Sequence, residues 1–165
     1  MSANPGPNPF DGAKYRQVLG HFPTGVTVIT AMTDDGPAGM AIGSFSSLSL
    51  DPALVLFSAT KTSASWSKLR GAGKFCVNIL ADDQEDISRV FGSKADDKFS
   101  EIGWRRSGNG APLINGVLAY IDCDLHSVLD GGDHDIIIGA VTDLDVKHEG
   151  GALVFFRGGY GRVAF

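Results

Sequence analysis

Hydroxyl-bearing residues crowd two short stretches of the chain. Ser44, Ser46, Ser47 and Ser49 flank Phe45, and Thr60, Lys61, Thr62, Ser63 and Ser65 follow one predicted strand later. Side chains two apart on a strand share a face, so Ser44 and Ser46 point one way while Phe45 and Ser47 point the other. Hydroxyls and backbone N–H groups on consecutive elements suit a phosphate and a polyol chain. Ser63 also stands where a helix is predicted to start, and the unpaired N–H groups and dipole there attract anions. Lys61 adds a positive charge. The same serines can equally line an exposed sheet face and cap a helix, and spacing alone does not separate the two readings.

Two further groupings carry chemistry. Gly131, Gly132, Asp133 and His134 place an imidazole on a tight turn, where histidine is often simply solvated. Phe155, Phe156, Arg157, Gly158, Gly159 and Tyr160 bring an arginine and three aromatic rings together. Arginine and aromatic rings can grip a dinucleotide by charge and stacking, although a strand end with an ordinary turn reads the same way. His21, His126 and His148 are scattered and form no metal-ligand pattern. The chain has no GxSxG elbow, phosphate-binding P-loop, HExxH or Rossmann GxGxxG, and its acidic residues show no dyad spacing.

The elements that must position these residues are short. Tyr15, Val18, Leu19 and Phe22 make one apolar stripe on a helix predicted over 11–21, with Asp11 as N-cap and Gly20 and Pro23 as the stop. Strands are expected at 25–32, 39–50, 53–58, 74–80, 117–128, 135–146 and 152–156. Gly43 inside the second of these signals a bulge or a close approach. Helices are expected at 63–70, ended by Gly71, and at 83–91; residues 103–113 read as a loop. Closely spaced strands without crossover helices predict a mainly β protein built as an antiparallel barrel.

Composition sets the outer bounds. A chain of 165 residues with 43% hydrophobic and 20% charged residues fits one folded domain. Its 22 glycines fall between apolar runs, as turns between short strands require. A formal charge of −5 argues against a nucleic-acid partner and against an anionic membrane surface. Residues 1–10 are polar and rich in Pro and Gly; they read as a flexible arm before a domain over 11–165, not as a signal peptide. No apolar run is long enough to cross a bilayer, so a cytoplasmic protein is expected. Cys76 and Cys123 sit in apolar stretches outside any CxxC pair and read as buried thiols.

Taken in order, FPTGVTVIT (22–30), GMAIGSFSSLSLDP (39–52), FCVNIL (75–80), GDH (132–134) and FFRGGY (155–160) resemble the short-chain flavin reductase family. These are the reductase components of two-component flavin monooxygenases, and the likeness spans 15–160. FGSKADDKF (91–99), LAYIDCDL (118–125) and GAV (139–141) are most similar to the reductases of actinobacterial secosteroid-phenol monooxygenases. Ala140 stands where many relatives carry Glu.

The resemblance implies a six-stranded antiparallel Greek-key split β-barrel with a few short helices, a homodimer with flavin near the subunit interface. It implies that Gly39, Met40, Ala41, Gly43, Ser44, Phe45 and Ser46 line the flavin ring and ribityl chain. Thr60, Lys61, Ser63 and Ser65 would reach the phosphate, and Asn78 would face the same cleft. His134 would sit beside the nicotinamide, with Phe155, Phe156, Arg157, Gly158 and Tyr160 completing an NADH site. The implied activity is hydride transfer from NAD(P)H to FMN or FAD, which then leaves for a separate flavin-dependent oxygenase. A non-catalytic flavin carrier or sensor on the same barrel is the alternative. An amine oxidase of the pyridoxine-phosphate type would need more basic phosphate ligands than Lys61.

Overall fold

The computed structural model describes residues 5–164. Helix α1 (Gly12–Leu19) starts where Asp11 accepts a hydrogen bond from the Ala13 N–H at 3.1 Å. Its apolar stripe faces outward: Tyr15, Val18 and Leu19 are exposed, as is Phe22 beyond its end, and no residue of the helix is buried. The chain then forms β1 (Thr24–Gly25), β2 (Thr27–Thr33) and β3 (Gly36–Ile42), the last two joined through Asp34 and Asp35.

The single strand expected over 39–50 is broken. After β3, residues 43–45 leave the sheet, and β4 (Ser46–Leu50) resumes it. A Cβ at Gly43 would lie 3.1 Å from the Thr24 hydroxyl, so the chain bends where only glycine fits comfortably. The Ser44 hydroxyl repairs the gap by accepting from the Ser58 N–H at 2.9 Å and donating to the Ser58 carbonyl at 3.0 Å.

β5 (Ala53–Thr60) leads into α2 (Ala64–Ala72), whose N-cap Ser63 accepts from the Trp66 N–H. This helix ends at Gly73, with φ +71°, two residues past the expected stop at Gly71, because only Gly73 adopts the left-handed cap. β6 (Lys74–Ile79) and α3 (Glu85–Gly92) follow. The segment expected as a loop holds a small hairpin, β7 (Trp104–Arg106) with β8 (Pro112–Ile114); Pro112, Leu113 and Ile114 are buried and anchor it. The long pair β9 (Ala119–Gly131) and β10 (His134–Val146) turns through Gly132 and Asp133. β11 (Ala152–Phe156) pairs with a strand not foreseen from sequence, β12 (Gly159–Val163).

All pairings are antiparallel, as expected for a mainly β barrel-type fold, but the strands are more numerous. The main sheet has seven, in the order β3-β2-β6-β9-β10-β5-β4. A second sheet runs β1-β11-β12. Neighbours distant in sequence, such as β2 with β6, give the crossing order of a Greek key.

Two cores lie on opposite faces of the central strands. One gathers Ile29, Phe57, Trp66, Leu69, Phe75 and Ile137, with Phe57 edge-on to both Trp66 and Phe75. The other gathers Phe91, Phe99, Leu113, Ile114 and Leu153. A Cβ at Gly139 would lie 2.6 Å from Phe75, so β10 must be bare there for the first core to close. The thiols of Cys76 and Cys123 are both buried and free, in opposite cores.

Candidate active site

A cavity of about 650 Å³ opens between β3, the end of β5, the start of α2 and the segment 91–99. Gly39, Met40 and Ala41 form one wall, and a side chain at Gly39 would collide with the Phe91 ring at 2.7 Å. Thr60, Thr62, Ser63 and Ser65 form the hydroxyl-rich end, at the first turn of α2, where helix N–H groups lack partners.

Beneath this end lies Lys98, only 8% exposed. Its ammonium donates to the Phe91 carbonyl at 3.0 Å, to the Ser65 hydroxyl at 3.2 Å and more distantly to the Gly39 carbonyl at 3.4 Å. Among the described residues no carboxylate pairs with it. Burial, helped by the nearby positive charge of Lys68, holds its pKa below the ordinary lysine value. Lys68 and Lys94 also line the cavity, with Asp35 and Asp96. An ammonium held by neutral oxygens and not by a carboxylate is electrostatically suited to an anion beside it.

His134 does not line this cavity but reaches it through one neighbour. Its Nε2 lies 3.2 Å from the hydroxyl of Thr60, its register partner across β10 and β5. Its Nδ1 lies 2.7 Å from a carboxylate oxygen of Asp133, and this bond holds the Asp133 pKa below the usual carboxylate range. Lys61 also stands aside from the cavity. Its ammonium is paired with Asp130, which raises the lysine's pKa and lowers the aspartate's, while its N–H binds the Asp133 carbonyl. The cations at the cavity are Lys68, Lys94 and Lys98 instead.

A smaller space of about 200 Å³ touches the other side of β3 and is lined by Val26, Ala41, Ile42, Gly43, Ser88, Phe155 and Tyr160. Ala41 borders both spaces. The Tyr160 hydroxyl shares a 2.8 Å hydrogen bond with Ser88, and the Arg89 guanidinium lies 5.0 Å from its ring.

The expected site residues therefore divide. Gly39, Met40, Ala41, Thr60, Ser63 and Ser65 meet at the large cavity, and Ala41, Gly43, Phe155 and Tyr160 at the small one. Ser44 is engaged with Ser58, Ser46 donates to the Ser47 carbonyl, and Phe45 packs on the first core. Phe156 ends β11, and Arg157 and Gly158 form the exposed β11–β12 turn; all three lie outside both spaces, with Arg157 at φ +52° and its N–H bonded to the Gly20 carbonyl. Asn78 faces no cleft. It is fully buried; its amide donates to Val28 and Thr30 and accepts from the Ile114 N–H at 2.8 Å, tying the β7–β8 hairpin to the main sheet. Lys98 escaped the sequence reading because it sits among Asp96, Asp97 and Ser100, a pattern of a solvated loop.

Fold and site together define an antiparallel β protein whose strand β3 borders a pocket lined by hydroxyls and three lysines. A model of the flavin reductase like domain matches residues 19–164. A flavin reductase of Pseudomonas putida is 55% identical over 91% of this chain and 89% of its own. The reductase subunit HsaB of a flavin-dependent monooxygenase from Mycobacterium tuberculosis is 52% identical over 91% and 81% of the two chains. A solved NADH:FAD oxidoreductase of Streptomyces globisporus, in complex with NAD and FAD fragments, superposes with a TM-score of 0.89 at 36% identity, covering 95% of both chains. The chain belongs to the flavin reductase-like family.

Proposed function

We propose that this protein is an NADH-dependent flavin reductase that hands reduced FMN or FAD to a separate oxygenase component. The observation that carries the reading is Lys98, a buried cation without a carboxylate, placed between the hydroxyls of α2's first turn and the bare wall of β3. Lys98, Ser63 and Ser65 would hold the flavin phosphate, with Lys68 and Lys94 beside them. Gly39, Met40 and Ala41 would flank the ring system, with the Phe91 ring packed against the bare face of Gly39. The flavin supplies the hydride acceptor at N5 and the reduced nicotinamide supplies the donor at C4. The protein's contribution is to place the two rings and exclude water, since no proton has to move in the hydride step. Phe155 and Tyr160, which line the smaller space beside Ala41, would flank a nicotinamide nucleotide approaching the same strand.

The outward apolar residues Tyr15, Val18, Leu19 and Phe22, with Leu50 at 93% exposure, support a homodimer. Among the described residues no helix is long and apolar enough to cross a membrane, and a cytoplasmic location agrees with that. The domain read over 11–165 would carry this activity. Steady-state oxidation of NADH and NADPH with FMN and FAD tests it: NADH consumption that requires flavin supports a reductase. Flavin binding without NADH loss would instead identify a carrier.

A further inference from the structure

We propose that Thr60 and His134 complete the phosphate subsite, and that His134 becomes an imidazolium when a flavin phosphate occupies it. The inference rests on the flavin reading above and concerns how the site handles protons. An ionised carboxylate only accepts hydrogen bonds, so the 2.7 Å approach of Asp133 requires a proton on Nδ1. The other ring nitrogen, Nε2, faces the Thr60 hydroxyl at 3.2 Å. Of these three residues only Thr60 lines the cavity.

The rest of that cavity end is built of donors: the hydroxyls of Ser63 and Ser65 and the ammonium groups of Lys68, Lys94 and Lys98. The carboxylates of Asp35 and Asp96 line it as well. A phosphate there is an acceptor and needs Thr60 to donate. The hydroxyl has one hydrogen. A neutral imidazole, protonated at Nδ1, claims that hydrogen through Nε2 and leaves Thr60 only lone pairs to show an anion. An imidazolium reverses this: Nε2–H donates to the Thr60 oxygen, and the hydroxyl hydrogen is free for the phosphate. Phosphate binding and His134 protonation therefore favour each other by the same factor.

The surrounding charges permit the cation. Asp133 on the same turn bonds the ring directly. Asp130 on β9 is already paired with Lys61 from the end of β5. Asp135, next on β10, accepts from the Trp66 indole at 2.9 Å and, at 3.5 Å, from Arg70 of α2. Asp133 is thus the carboxylate left to face an imidazolium.

Calorimetry at pH 7.5 in two buffers of different ionisation enthalpy reads the linked proton. A flavin phosphate with a second pKa of about 6 is then mostly deprotonated. FMN binding should take up to about one proton per site, and its affinity should fall as the pH rises, by at most about tenfold per pH unit. Riboflavin, which lacks the phosphate, should take up none. Thr60→Val should reduce the uptake with FMN, and Thr60→Ser should restore it. Nitrogen-15 spectra of His134 should show a proton on Nδ1 alone in the free protein and on both nitrogens with FMN bound. FMN binding without proton uptake, or equal uptake in Thr60→Val, overturns this inference alone. Binding of neither flavin overturns the flavin reading and this inference together.

Discussion

Lys98 is the residue on which the site's electrostatics turn, because its charge is buried without a partner of opposite sign. Replacing it with Met should weaken FMN binding by roughly 10- to 100-fold, the range for losing a charged hydrogen bond. Fluorescence titration of the flavin measures this. The same change should leave the unliganded protein as stable or more so, since a desolvated charge is removed. Its folded pKa lies below the ordinary value, so between the two the unfolded chain binds more protons and stability rises with pH. Denaturant melts from pH 8 to 10 should show that rise in the wild type and a flatter course in Lys98→Met. The thiols behave oppositely to a catalytic pair: burial, reinforced by Asp122, drives Cys76 up beyond any useful range and Cys123 up to about 12. Both should resist a thiol reagent at pH 8 until the protein unfolds. Ser63, Ser65 and the Gly39 wall were legible in the sequence because hydroxyl clustering and glycine carry local meaning. Lys98 was not, because burial of a charge among acidic neighbours depends on which strand it is folded against.

At the scale of elements, the short helix α2 is the part that aligns the anion end with the imidazole. Ser63 caps it, and Trp66 ties it to Asp135 beside His134. Ser63→Ala should cost about 1 kcal/mol in thermal or denaturant unfolding, the usual value of a lost N-cap. Since Ser63 also lines the cavity, flavin affinity should fall with it. The helix starts at 12 and 64 were readable from Asp11 and Ser63, because caps are local signals. The break at 43–45 and the β7–β8 hairpin were not, since both are decided by partners far away in sequence. Ser44 is matched to Ser58, and Ile114 is held by Asn78. Asn78 itself was read as a cleft residue for the same reason: its type invites a ligand, and only the sheet shows that its amide is fully used.

The whole molecule combines two surfaces of different character. The stripe on α1 was legible as an amphipathic pattern, yet it meets no core in the single chain. Equilibrium sedimentation should therefore give a dimer, and Phe22→Asp or Leu19→Asp should shift it towards monomer with little loss of monomer stability, because neither side chain is buried within the chain. The barrel class was readable from closely spaced strands; the seven-stranded order was not, because strand spacing does not say which strands become neighbours. The second surface is the cavity with its three lysines, set in a chain of net charge −5. A phosphorylated flavin approaching from a distance meets an overall repulsive field and feels attraction only at the mouth, within about the 8 Å over which physiological salt lets charges act. Encounter rates should accordingly change little with added salt, while the lifetime of the captured ligand shortens. Ionic strength would then govern how quickly cargo is surrendered more than how quickly it is found.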